Sequence, residues 1–360
     1  MSDGGNLRLG LIEGDGIGPE VVRAAREVVD DALEVVRMPA VEWVPLLIGH
    51  AAIAEFGDPV PETTLKGLEG VDAWIMGPHD SASYAAEYRT GLPPAGAVRK
   101  RFGLYGNIRP ARAMAGVRAV AAEMDLVIVR ENSEGLYADR NMYAGAGEFR
   151  PTPDVALAVG VFTRTAIERI ARLAFEVAET RRKKVTIVHK ANVLPMTTGL
   201  FREVCYEVAE RYPNVEVTDE HMDAITARLV RTPAAFDVLV TENLFGDILS
   251  DLAGELSGSL GMAPSLNCSD THAMAQAVHG AAPTLAGHNR ANPLALIRSA
   301  AMMLRWLANR DGRSALHRAA DRIDNAVAET LRAGVATSDL GGLASTTEFT
   351  EQVRARLHRW

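Results

Sequence analysis

The sequence predicts an α/β protein with a largely parallel sheet, and three observations carry that expectation. Short apolar runs recur along the chain, and segments with apolar residues at helical spacing lie between them. Nearly every run ends in glycines or in polar and charged residues, the place where sites gather in folds of this class. The first unit, LRLGLIEGDGIGPEVVRAAREVVDDAL, reads as strand, glycine loop and helix. Further buried strands are predicted at 71–76, 125–129, 185–188 and 237–240, and helices at 162–179 and 199–211. The basic run 181–184 closes the first of those helices, where cations oppose the negative end of the helix dipole. Segment 141–153, NMYAGAGEFRPTP, suits an extended arm or hairpin available for oligomerisation.

Composition limits the function. A net charge of −8 argues against a nucleic-acid binder, and 48% hydrophobic with 23% charged residues is ordinary for a globular protein. The 360 residues allow two domains at about 150 residues each. No apolar stretch approaches a membrane span and the first residues lack a signal-peptide pattern, so a soluble cytoplasmic protein is expected. Cys205 and Cys268 stand alone and are expected to be buried free thiols.

The candidate chemistry lies at the strand ends. Gly14, Gly16 and Gly18 do not fit the GxGxxG spacing of a Rossmann fingerprint, so the loop is either a tight strand-to-helix turn or a surface against which a ligand lies. Asp247 and Asp251, four apart on a predicted helix, form either a solvated acidic face or half of a site for Mg²⁺ or Mn²⁺, with Asp223 a third candidate ligand. Arg99, Arg109 and Arg130 suit bidentate binding of a substrate with two or more carboxylates, although each taken alone suits a structural ion pair. Lys190, directly after a buried strand, and Tyr137 are candidates for proton transfer.

These motifs together resemble the β-decarboxylating dehydrogenase family, which includes isocitrate, 3-isopropylmalate, homoisocitrate, tartrate and D-malate dehydrogenases. The resemblance is carried by GDGIGPE at 14–20, VRKRFGLYGNIRP at 98–110, VRENSEGLY at 129–137, TIVHKAN at 186–192, the stretch 223–251, HGAAPTLAGHNRANP at 279–293 and DLGG at 339–342. It implies an isopropylmalate dehydrogenase-like fold of two α/β domains with a shared mixed sheet, and not a Rossmann fold. The first domain would comprise 1–104 plus 258–360, and the second 105–257 with an arm near 141–153. It also implies a homodimer with shared active sites and a di- or tricarboxylate substrate. Arg99, Arg109 and Arg130 would bind that substrate, Asp247 and Asp251 would bind the metal with Asp223 of a second subunit, Lys190 would be the base and Tyr137 the acid. The cofactor would contact Gly14, Ile17, Glu242, Asn243, His279, Gly280, Ala282, Thr284 and Asn292.

Two segments depart from the family pattern. Residues 90–98, TGLPPAGAV, match neither the pattern of the isocitrate enzymes, with Ser and Asn, nor the apolar pattern of the isopropylmalate enzymes. A 3-substituted malate is therefore expected, 3-isopropylmalate foremost, with isocitrate, tartrate and D-malate as alternatives. Thr284 stands where NAD enzymes of the family carry Asp; it keeps a hydroxyl for a ribose but no carboxylate to repel a 2′-phosphate, and Arg290 is nearby. NAD is expected ahead of NADP. Gln276 occupies a position where the family has Glu. Two other classes compete: a metal-dependent hydrolase or phosphoryl-transfer enzyme, which would leave Lys190 and Tyr137 unused, and a non-catalytic binding subunit, which the complete set of candidate residues opposes.

Overall fold

The computed structural model describes residues 7–89, 91–137, 142, 145 and 147–359. Thr90 of the stretch before Arg99, and Asn141, Tyr143, Ala144 and Ala146 of the expected arm, lie outside the described residues. The chain divides into two compact units, one made of Met1–Arg101, Met114–Ala119 and Gly258–Trp360, the other of Phe102–Ala113 and Val120–Ser257.

In the first unit five strands lie in the order Glu42–Leu46, Arg8–Ile12, Ala73–Met76, Ala273–Ala275, Leu266–Cys268. The first four pair in parallel, and the last is antiparallel to its neighbour, with Leu266 opposite Ala275. Helix Gly18–Val35 begins with a proline in its first turn and Glu20 facing the positive end of the dipole. Its buried residues Val21, Val22, Ala25, Val28, Val29 and Ala32 recur at three and four, so one stripe faces inward. It packs on helices Leu294–Asp311, Ser314–Arg332 and Thr346–Leu357. Burying each valine of that stripe contributes about 1.5–3 kcal/mol, so a charge at Val28 is the single change expected to break it.

In the second unit the order is Gly106–Arg112, Asp125–Glu131, Val238–Thr241, Lys184–His189, Glu216–His221. The first pair is antiparallel and the rest are parallel. Alternation explains why the central strands read as unbroken apolar runs. Val127, Val129, Val185, Ile187, Val238 and Val240 face helices Arg164–Glu179 and Thr198–Ala209. Leu126, Ile128, Val188 and Leu239 face helices Met222–Arg231 and Asn243–Ser257 on the other side. The helix predicted at 162–179 begins at Arg164, because the Thr163 side chain accepts the Ala166 N–H as its cap.

The run 181–184 has a more specific role than complementing a dipole. Arg181 donates to Asp125 and Asp237 at 2.8 Å each, and Lys184 pairs with Glu216, so the run ties together the starts of neighbouring strands. Strands Glu148–Thr152 and Val155–Ala158 form an exposed antiparallel pair with Phe149 opposite Leu157. Cys205 and Cys268 are free and buried. Among the described residues no helix is long and apolar enough to cross a membrane.

Candidate active site

The second unit gathers five of the predicted residues. Antiparallel pairing sets Arg130 opposite Asn107, two residues from Arg109, so both arginines project from one face of the sheet. Helix Asn243–Ser257 lies over that face and presents Asp247, which accepts from Arg109 Nη1 at 3.2 Å and from Arg130 Nη1. The close approach needs Gly246, where a Cβ would stand 2.6 Å from Arg130 Cγ. Arg130 is 1% exposed, and its other nitrogens donate to Asn243 Oδ1 at 3.0 and 2.7 Å. Arg109 donates to Ser250 Oγ at 2.6 Å. Burial, with Arg130 beside it, pushes the Arg109 guanidinium down to about 10 against the pull of Asp247 and Asp251.

The Tyr137 hydroxyl donates to Asp247 Oδ2 at 3.2 Å, and its ring lies 5.9 Å from the Arg130 guanidinium carbon. Asp251, one turn beyond Asp247, is 3.9 Å from Arg109. Burial raises the Asp251 pKa; Arg109 opposes that and Asp247 adds to it. Two partly exposed carboxylates one turn apart on one helix face are hard oxygen donors, the ligand type that a divalent cation takes.

Asp223 is not part of that group within the chain. It accepts from Lys190 Nζ at 2.5 Å, and that bond holds its carboxyl below the usual range. Among the described residues no three His, Cys, Asp or Glu side chains gather as a metal cluster. The chain brings together Arg109, Arg130, Tyr137, Asp247 and Asp251, and separately Lys190 with Asp223.

Two residues expected to touch a cofactor are engaged in structural bonds. Glu242 accepts the N–H groups of Leu244 and Phe245, capping the helix. Asn243 is fully buried, with its amide donating to the Glu134 carbonyl at 2.9 Å while its oxygen holds Arg130. Asn107, Ser250 and Gly246 escaped the sequence reading. Only the i and i+3 spacing of Ser250 beside Asp247 hinted at one of them.

In the first unit the glycine loop packs on the loop that begins at His279. Ile17 N–H donates to the Ala281 carbonyl at 2.9 Å, and at Gly16, with φ +59°, a Cβ would overlap that carbonyl oxygen. The spacing of the glycines is therefore required by backbone packing, whatever else lies against the loop. Gly14 and Ala282 also have positive φ. His279 is held by burial below its usual pKa, and its Nε2 is buried without a hydrogen-bond partner among the described residues. Gly280 and Thr284 are exposed, whereas Asn292 donates to Asp339 at 3.0 Å and accepts the Leu294 N–H. Arg99, on helix Pro94–Arg101, donates to Gln276 Oε1 at 3.2 Å.

Residues 8–353 match the family model for isocitrate/isopropylmalate dehydrogenases. The 3-isopropylmalate/3-methylmalate dehydrogenase of Methanocaldococcus jannaschii is 40% identical over 352 residues, covering 96% of this chain and 98% of the relative. The isocitrate/homoisocitrate dehydrogenase of Thermus thermophilus is 45% identical, covering 96% and 97%. Among solved structures, isocitrate dehydrogenase from Methylococcus capsulatus is similar with a TM-score of 0.85 at 37% identity, over 98% of this chain and 99% of that one. The chain belongs to the isocitrate/isopropylmalate dehydrogenase family. It is accordingly an oxidoreductase, a decarboxylating dehydrogenase.

Proposed function

We propose that this protein oxidatively decarboxylates a 3-substituted (R)-malate, with 3-isopropylmalate the favoured substrate, NAD as hydride acceptor and Mg²⁺ or Mn²⁺ as the metal. The observation that carries the reading is the buried pair Arg109 and Arg130, aimed at the same carboxylate as the Tyr137 hydroxyl. The metal would be held by Asp247 and Asp251 with Asp223 of a second subunit, and the cofactor by the loops around Ile17 and His279, whose orphaned Nε2 suits a ligand atom. When bound, the metal would supply Lewis acidity at the C2 oxygen and NAD would supply the hydride acceptor.

The residues of the chain account for the remaining steps. Arg109 and Arg130 bind the substrate carboxylates, and the low dielectric around them strengthens that attraction. Lys190 takes the proton of the C2 hydroxyl, relayed by water, as the C2–H bond breaks. After the carboxylate on C3 leaves as CO₂, the electron pair of the broken bond passes into an enolate and Tyr137 returns a proton to C3. The segment before Arg99 supports the choice of a malate over a tricarboxylate: Pro94, Ala95, Gly96 and Val98 are buried and none offers a hydrogen-bonding side chain for a further carboxylate. The names of the two relatives divide between the isopropylmalate and isocitrate activities, so the decisive experiment follows nicotinamide absorbance with 3-isopropylmalate, isocitrate, tartrate and D-malate, each with Mn²⁺ and NAD or NADP. Turnover highest with 3-isopropylmalate and NAD supports the reading; preference for isocitrate overturns the substrate.

The assembly proposed is a homodimer in which Lys190 and Asp223 of one copy complete the site of the other. Mixing inactive Lys190→Met and Tyr137→Phe chains then restores roughly a quarter of wild-type activity, because half of the random dimers carry one intact site. No restoration after verified subunit exchange places both residues in one chain's site.

A further inference from the structure

The strands Lys184–His189 and Glu216–His221 run in parallel with Ile187 opposite Asp219 and His189 opposite His221. Alternation therefore sets His189 and Asp219 on one face. His189 is 2% exposed, and its Nε2 lies 2.9 Å from Asp219 Oδ2. The Ala191 backbone N–H donates to His189 Nδ1 at 3.0 Å. Because a backbone N–H is always a donor, Nδ1 must present a lone pair, and the ring proton sits on Nε2, where it donates to Asp219.

The surroundings hold this tautomer. Burial would raise the pKa of Asp219, but hydrogen bonds from Arg202, Tyr206 and His189 outweigh it and keep the carboxyl well below the usual range. Burial lowers the His189 pKa against the pull of Asp219, and His221 and Arg202 lower it further, in line with the neutral ring that the Ala191 N–H bond to Nδ1 requires. Tyr206 donates to Asp219 Oδ1 at 2.5 Å and Arg202 donates to both oxygens, leaving Nε2–H a fixed acceptor.

The consequence falls on Lys190. Its own N–H donates to Thr198 Oγ1 at 3.1 Å, and its carbonyl accepts from Val193 and Leu194. With Ala191 N–H held by His189, the peptide groups on both sides of the Lys190 Cα are fixed, and Nζ reaches Asp223 at 2.5 Å. We propose that His189 is a positioning residue for Lys190: Nδ1 anchors the peptide that follows the lysine, and Asp219 selects the tautomer that makes Nδ1 an acceptor. This rests on the reading of Lys190 as the base.

Two substitutions separate the ring nitrogens. Asn at 189 offers Oδ1 near the position of Nδ1 and bonds the N–H two residues on, as in an Asx turn. Gln reaches the position of Nε2 and leaves Ala191 N–H without its acceptor. Assayed with 3-isopropylmalate, NAD and Mn²⁺, His189→Gln is expected to lower kcat about 10- to 100-fold with KM changed less than about threefold, the size of effect that a displacement of about 1 Å produces. Modification of Lys190 by trinitrobenzenesulfonate, followed by peptide mass spectrometry, is expected to change severalfold in the same variant. His189→Asn should stay near wild type on both readouts. Equal effects of Asn and Gln, or wild-type behaviour of Gln, overturn the proposal. If His189→Gln fails to fold, ¹⁵N shifts of the wild-type ring decide: a protonated Nε2 with bare Nδ1 supports it, and the opposite tautomer overturns it. Full turnover by Lys190→Met would instead overturn the role of Lys190 as base, while the labelling comparison still decides whether His189 positions that side chain.

Discussion

The cluster around Asp247 and the loop that begins at His279 are built by different means. In the cluster every arginine contact is a side chain bonded to a side chain, and the two guanidinium groups are nearly excluded from solvent. In the loop most hydrogen bonds use a backbone group on at least one end, the conformation includes a positive φ at Ala282, and Thr284 and Arg290 are exposed. Charge placed in a dry, crowded site resists rearrangement, whereas a loop held by its main chain can exchange side chains at little structural cost. Activity should therefore be brittle at the first region and tunable at the second.

The sharpest way to break the contrast is at Tyr137, the proposed proton donor. Tyr137→Phe should lower kcat about 10²- to 10⁴-fold with the circular dichroism spectrum unchanged. Next comes the support of Asn243, whose amide bonds the carbonyl of Glu134. Burial, opposed by bonds from Thr163, raises the Glu134 carboxyl to about 7 from 4.5. A raised carboxyl pKa means that the folded state binds the extra proton. Stability then falls as pH rises from about 4.5 to about 7, by at most about 1.4 kcal/mol per pH unit, and levels off above. Urea titrations across that window should show the decline in wild type and its loss in Glu134→Gln. Gly246→Ala forces a Cβ onto the stem of Arg130 and should cost about 1–3 kcal/mol, read by denaturation, while raising KM for the hydroxy acid more than KM for NAD.

On the loop side the effects shrink and change kind. Gly16→Ala pushes the glycine loop off the Ala281 carbonyl, and KM for NAD should rise about tenfold with hydroxy-acid KM little altered. Thr284→Asp adds a carboxylate at an exposed position and should favour NAD over NADP about fivefold in kcat/KM, without change in unfolding temperature. A loss of stability in that last variant comparable to Gly246→Ala would erase the distinction between the regions.

The class of fold was legible because alternating apolar runs and helical spacing report burial directly, as Val127 and Leu126 show by facing opposite helices. The candidate chemistry was legible where motifs were dense. What the sequence hid were contacts made by pairing: Lys190 meets Asp223 only because two parallel strands end together, and Asn243 holds Arg130 across 113 positions. Gly246 looked like any helical glycine until Arg130 was seen against it. The glycine loop misled differently, since a ligand and a neighbouring carbonyl require the same absence of a side chain.

The pairing of strand Ala73–Met76 with strand Ala273–Ala275 also has a consequence for biosynthesis. A ribosome releases the first strand long before the second, and the whole of the other unit is made in between. Until Met274 arrives opposite Trp74, the nascent chain displays an unpaired edge of AWIM, four residues fully shielded in the finished protein. The middle of the chain is thus free to condense first, and the first unit must wait for its own tail, a delay during which that edge stays open to a chaperone.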